Sequence, residues 1–266
     1  MLTTILLYLV LGAFAGVVAG LFGIGGGLLI VPVLVFSFEL QGMSADILTH
    51  MAVATSLATI VVTSLSSVRA HHKRGAVRWQ LFRPLALGIL LGAFLGVKTA
   101  GQLPGNYLQI ALGIFALCVA LQMALNLKPA AGHVTPGKRE LGIAGGVIGW
   151  VSSMFGIGGG TLTVPYLSWR QVQMQQAVAT SAACGLPIAV MGALANIPEG
   201  WGNPALPQWS LGYVYLPAFI GIVITSSQFA KVGARLAHSL PADKLKRIFA
   251  LFLLFVGGRF IYSNLF

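Results

Sequence analysis

The residues with chemistry to offer in this chain are glycines and hydroxyls, and they come twice. Phe22-Gly23-Ile24-Gly25-Gly26-Gly27 recurs as Phe155-Gly156-Ile157-Gly158-Gly159-Gly160, and each copy is followed at matched spacing by a Val-Pro pair, Val31-Pro32 and Val164-Pro165. Downstream of each, Ala52-Val53-Ala54-Thr55-Ser56 recurs as Ala177-Val178-Ala179-Thr180-Ser181. Glycine adopts positive φ without a Cβ clash and lets a backbone or ligand come close. A helix restarting after each run presents unpaired backbone N–H groups and a positive dipole end, which together suit an anion. Ser and Thr hydroxyls add donors without burying a charge, which costs about 2.5–3.5 kcal/mol for Arg or Lys at a helix centre. Each favourable helix end contributes about 0.3–2 kcal/mol, so the expected ligand is a small anion held weakly enough to be released.

The candidate substrate-binding residues are therefore Gly23, Gly25, Gly26, Gly27, Thr55, Ser56, Gly156, Gly158, Gly159, Gly160, Thr161, Thr180 and Ser181. Thr163 joins them as a secondary candidate. Leu28 and Ile30 stand where the second half has Thr161 and Thr163, so an asymmetric site is expected. Each feature also has a plain structural reading. Glycines serve close helix packing, as in GxxxG contacts, and Ser or Thr bonds back to its own helix or to a neighbour.

The elements that must position these residues are membrane helices. Hydrophobic residues make up 57% of the chain, charged residues 8%, and mean hydropathy is +0.88; a soluble domain carries about 25% charged residues. Apolar runs lie near residues 2–21, 28–38, 46–68, 81–99, 106–125, 140–154, 161–169, 174–195, 210–229 and 245–264. All are read as helices, because a backbone in lipid must satisfy its own hydrogen bonds and no alternating pattern supports a barrel. Runs 28–38 and 161–169 cover only about half of a 30 Å hydrocarbon core at about 1.5 Å per residue. Each is separated from its predecessor by a glycine run alone and is read as the short arm of a broken hairpin. The first run, with no Lys or Arg before it and no small-residue cleavage site after it, is expected to remain as a membrane segment.

The fold class expected is an all-α integral membrane protein of two inverted-topology repeats, each a glycine-broken hairpin plus three spanning helices. Residues 1–127 form the first repeat, 128–139 a basic cytoplasmic linker and 140–266 the second repeat. The connector holding Arg69, Lys73, Arg74, Arg78 and Arg83, the linker with Lys128, Lys138 and Arg139, and the stretch Lys231 to Arg247 are rich in positive charge, whereas Asn196–Trp209 has none. If each glycine run reverses the chain, every Lys and Arg except Lys98 and Arg259 falls on the cytoplasmic side.

The net charge of +11 is thus explained by orientation in the membrane, and nucleic acid is not an expected partner. Cys118 and Cys184 lie alone in separate apolar runs, which excludes a disulfide framework or zinc site. Glu39, Asp46, Glu199 and Asp243 fall at segment ends, His50 near the start of its run, and His71 and His72 in a basic loop. No acidic residue lies mid-membrane, which disfavours cation transport. The glycine runs lack the Lys and Ser/Thr of a P-loop. With no acid, base or metal set inside the apolar region, an enzyme is disfavoured and no cofactor is expected.

On the paired glycine runs, their Val-Pro sequels, the Ala-Thr-Ser repeats and the basic connector Arg69–Arg78 with Gly75-Ala76-Val77, the chain resembles the sulfite exporter TauE/SafE family of membrane permeases. The resemblance covers nearly the whole length. It implies a multi-pass inner-membrane transporter of a small sulfur-containing anion such as sulfite, thiosulfate, sulfoacetate or another organosulfonate. The expectation is a secondary transporter working by alternating access, with Pro32, Pro165 and Pro187 as candidate bends. A passive anion channel, a carrier of a non-sulfur organic anion and a scaffold protein are the rivals. The expected partners are the anion and the bilayer, with a homodimer left open.

Overall fold

The computed structural model describes residues 2–22, 27–125, 136–239 and 242–265. The ten helices among these described residues are α1 (Leu2–Phe22), α2 (Gly27–Leu40), α3 (Ala45–Lys73), α4 (Trp79–Gly101), α5 (Gly105–Ala124), α6 (Lys138–Met154), α7 (Gly160–Trp169), α8 (Met174–Glu199), α9 (Leu216–Ser239) and α10 (Ala242–Leu265). Two short strands, β1 (Ser210–Leu211) and β2 (Val214–Tyr215), pair antiparallel before α9. Five helices among the described residues are long and apolar enough to cross a membrane: α3, α4, α5, α8 and the Arg247–Leu265 part of α10. Large apolar side chains such as Leu87, Leu91, Leu251 and Phe255 point outward and are more than half exposed. Lipid is the solvent that such a surface requires.

Every apolar run is helical, with one correction. Run 210–229 begins as a β-hairpin, and α9 starts only at Leu216. Gly212, at φ 56°, makes the turn, and a Cβ there would lie 2.1 Å from Ile197 O, so the hairpin is pressed onto the end of α8. Val214 and Tyr215 are buried by it. Residues 128–135 of the linker lie outside the described residues, and Lys138 and Arg139 belong to the first turn of α6.

The long arms α1 and α6 and the short arms α2 and α7 form hairpins whose free ends meet. Gln41 Nε2 donates to Tyr8 Oη at 2.6 Å, joining the end of α2 to the start of α1. Arg170 forms an ion pair with Glu140, and Tyr166 Oη donates to the same carboxylate at 3.2 Å, joining the end of α7 to the start of α6. The far ends of the two arms are thus tied together in each pair.

Helix pairing follows one rule. α1 packs against α9, α6 against α4, α3 against α8, and α5 against α10. Exchanging α1 with α6, α3 with α8, α4 with α9 and α5 with α10 turns this set of pairs into itself. Small residues make the pairs close, and they match position for position. A Cβ on Gly12 would lie 2.6 Å from Ile222 Cα and one on Gly16 2.7 Å from Ser226 Cα. The correspondence that sets Phe22 on Phe155 sets Gly12 on Gly145 and Gly16 on Gly149, where a Cβ would lie 2.3 Å from Leu85 O and 2.9 Å from Ile89 Cα. With no water to expel between helices in lipid, such backbone proximity is the main source of their adhesion.

Charge separates the two ends of the bundle. At one end lie Glu39, Asp46, His50, Lys98, Glu199 and Arg259, linked by the Lys98–Glu199 ion pair, the Arg259–Glu39 pair at 3.8 Å and a 3.1 Å hydrogen bond between His50 Nε2 and Ala100 O. Both cations described at this end are therefore neutralised by carboxylates. At the other lie Arg69, Lys73, Arg74, Arg78, Arg83, Arg139 and Arg170, with Glu140 as their acid; Arg78 there donates to Gln176 Oε1 at 3.0 Å.

Candidate functional site

The second glycine run is anchored from three sides. Ile157 N–H donates to Ser152 O at 2.8 Å and Gly156 N–H to Ser153 O at 3.4 Å, folding the run back on the end of α6. Thr163 N–H donates to Gly159 O at 2.9 Å as α7 begins. Gly159 rests on α8, where a Cβ would lie 3.0 Å from both Ser181 O and Gly185 N. Gly156 holds φ 68°, and its hypothetical Cβ would meet Val53 Cα at 2.9 Å and Val31 Cγ2 at 2.7 Å. Positive φ and that crowding together leave room for glycine only.

The two runs come into contact. A Cβ on Gly27 would lie 2.9 Å from Gly156 O and 2.9 Å from Gly158 N, so the start of α2 meets the second glycine run between α3 and α8. Gly23, Gly25 and Gly26 lie outside the described residues. Gly27, Gly156, Gly158 and Gly159 are buried, and Gly160 and Thr161 are half-buried at the first turn of α7. The first-turn N–H groups of that helix have no acceptor within it. Pro165, five residues into α7, removes the N–H that would bond the Thr161 carbonyl, and Pro32 does the same to Leu28 in α2.

The four hydroxyls of the repeated Ala-Thr-Ser motif are all buried and differ in what they hold. Thr55 Oγ1 accepts from Tyr215 N–H at 3.0 Å, and Thr180 Oγ1 accepts from Arg78 N–H at 3.0 Å. Ser56 Oγ donates to Gly156 O at 2.8 Å, tying α3 to the glycine run. Ser181 Oγ has no hydrogen-bond partner.

Three more buried hydroxyls beside the same run share that condition: Ser152, Thr161 and Thr163. An unsatisfied buried hydroxyl costs about 1–3 kcal/mol, and all four belong to the second half. Ser152 escapes sequence reasoning because its counterpart is Ala19, so no echo marks it. The roles of Tyr215 and Arg78 are equally invisible there, since both act through backbone N–H. His50 is spoken for at the acidic end, with Nε2 on Ala100 O and Nδ1 3.2 Å from Asp46 O.

A groove of about 330 Å³ lies elsewhere, among Gly200–Gly212 at the acidic end. It is lined largely by backbone and exposed Trp201 and Trp209, the residue type that settles at a membrane–water interface.

Comparison with known proteins places this geometry in a lineage. A "Probable membrane transporter protein" of Haemophilus influenzae is 44% identical over 263 residues, covering 97% of this chain and 98% of that one. "Probable membrane transporter protein MJ0441" of Methanocaldococcus jannaschii is 28% identical over 90% of this chain and 89% of its own length. YunE of Bacillus subtilis, also named a probable membrane transporter protein, is 27% identical over 97% of both chains. No solved structure matches. The described helices fit a multi-pass membrane protein, and these relatives support a membrane transporter. The model of the family described as "Sulfite exporter TauE/SafE" matches residues 8–260, and the chain belongs to that family.

Proposed function

We propose that the protein is a secondary transporter that moves a small sulfur-containing anion, of the class of sulfite, thiosulfate, sulfoacetate or another organosulfonate, across the plasma membrane. The observation that carries this reading is the set of partnerless buried hydroxyls, Ser152, Thr161, Thr163 and Ser181, beside Gly159 where the two glycine runs touch. Their O–H groups, with the first-turn N–H groups of α7, supply several neutral donors and no fixed positive charge. An anion with several acceptor oxygens relieves the cost of leaving those donors unpaired. Because no buried cation holds it, binding is weak enough to reverse, which suits carriage rather than catalysis.

The pairing pattern supports alternating access. The exchange of α1–α5 with α6–α10 supports two repeats of inverted topology, and a site at their junction is opened to each side in turn when one repeat rocks against the other. The positive-inside rule assigns the Arg- and Lys-rich end to the cytoplasm and the Glu39–Glu199 end to the outside. A reporter fused after Trp201 should then be extracytoplasmic, and a cytoplasmic signal would remove the topology.

The test of the transport reading is flux into proteoliposomes. Sulfite or an organosulfonate should enter with saturation and should show counterflow when the same anion is preloaded. Flux that rises linearly with concentration and shows no counterflow would make the protein a channel. Flux of acetate or phosphate alone would remove the sulfur anion as substrate.

A further inference from the structure

Thr55 and Thr180 hold corresponding places in α3 and α8, and each reaches across the molecule to the same kind of target. Tyr215, whose N–H donates to Thr55, immediately precedes α9; Arg78, whose N–H donates to Thr180, immediately precedes α4. The partners are 160 and 102 residues apart in the chain. A helix start is ordinarily capped by a side chain of its own segment, but Arg78 makes no such bond for α4. The partner is instead lent by a threonine of the packed pair α3 and α8, and both threonines are fully buried.

The residues just ahead of the two bonds are buried as well. Val77 is 7% exposed and packs against Ala179 and Ala183 of α8; Val214 is 5% exposed. The two starts lie at opposite ends of the bundle. Arg78 belongs to the basic end, beside Gln176, whereas Tyr215 stacks edge-on against Tyr8 and Phe38 at the acidic end. α4 and α9 are also the helices clasped by the long hairpin arms α6 and α1. Freeing one start loosens one helix at one end and leaves the other untouched.

We propose that Thr55 and Thr180 are paired latches for the conformational step of transport, Thr55 holding the start of α9 closed at the acidic end and Thr180 holding the start of α4 closed at the basic end. The proposal rests on the alternating-access reading given above. Each turnover releases one latch while the other stays made, and the oxygen of the threonine, acting as acceptor, is the working atom. Serine keeps that oxygen; valine keeps the shape and loses it, leaving a buried N–H unpaired.

Val214→Cys and Val77→Cys, each in a Cys118→Ser, Cys184→Ser background, report on the two ends through their rate of labelling by a hydrophilic maleimide in detergent. Thr55→Val should speed labelling at position 214 by about two- to tenfold, the factor that one net hydrogen bond supports, and leave position 77 unchanged. Thr180→Val should do the reverse, and Thr55→Ser and Thr180→Ser should label at the parental rates. Equal acceleration at both positions in either variant would show general loosening and overturn the latches, as would no acceleration at all. Counterflow of a sulfur anion by the valine variants separates the two readings. End-specific labelling with counterflow unaltered in both variants would overturn their part in the transport step, whereas absence of counterflow in the parent protein itself would remove alternating access.

Discussion

Ser56 and Ser181 occupy the same place in the two halves, buried in helices that pack against each other, and they do different things. Ser56 spans the interface to bind the Gly156 carbonyl, and on its side the short arm α2 opens with Leu28 and Ile30, both 3% exposed. Ser181 binds nothing, and on its side the short arm α7 opens with Thr161 and Thr163, whose hydroxyls also bind nothing. Ser152 adds a third such position where the first half has Ala19. A duplicated scaffold has thus kept its helix pairing and divided its chemistry. The first half closes the second glycine run by a hydrogen bond and apolar packing, and the second half supplies the unpartnered hydroxyls beside that run. The difference teaches that the helix pairing is shared by the two halves while the unpartnered hydroxyls beside the second glycine run come from one of them, which is where the proposed function seats its anion.

The largest expected effect falls on the frame. At Gly92 a Cβ would lie 2.0 Å from Gly146 O. Gly92→Leu should therefore force α4 from α6 and cost about 3 kcal/mol or more, seen as loss of a monodisperse detergent-soluble protein. Gly156→Ala comes next, combining a left-handed φ with contact against Val53. A loss of about 2–3 kcal/mol is expected, as a fall in thermal midpoint together with lost flux.

The comparison of the serines is sharpest at intermediate size. Ser56→Ala leaves the Gly156 carbonyl unpaired and should lower stability by about 1–2 kcal/mol. Ser181→Ala removes a hydroxyl that holds nothing, so its stability without anion should stay within about 0.5 kcal/mol of the parent, or rise, while saturable flux falls. If the two variants behave alike in both stability and flux, the division of labour between the halves is wrong. The smallest effect belongs to Lys98→Met. Its carboxylate partner is Glu199, but the Lys98 side chain is 48% exposed, and such a pair contributes at most about 1 kcal/mol.

The frame was largely legible in the sequence because its determinants are local and repeated. Apolar runs of sufficient length must be helices in lipid, and the glycine runs mark the breaks because nothing else in a span tolerates reversal. The start of α9 was missed because Leu211, Val214 and Tyr215 continue the apolar composition of the helix that follows; only Gly212 and its fit against Ile197 reveal the hairpin. Of the candidate site, the glycines and Ser181 and Thr161 were legible, since an echo or a break in an echo can be seen. That Thr55 and Thr180 hold backbone N–H groups more than a hundred positions away depends on folding geometry that residue types do not encode. Ser152 has no echo at all.

The central claim is that the donors around the second glycine run hold a sulfur oxyanion, and its most direct test is ligand-dependent thermal stability of the purified protein in detergent. Sulfite, thiosulfate, sulfoacetate, sulfate, phosphate and acetate are compared at matched ionic strength, with the parent protein beside Ser181→Ala. An anion that binds only the folded state at a hundred times its Kd adds about 2.7 kcal/mol. A rise in midpoint with a sulfur oxyanion or sulfonate, absent with acetate and much reduced in Ser181→Ala, is the expected result. Equal responses to every anion, or a full response in Ser181→Ala, would contradict it.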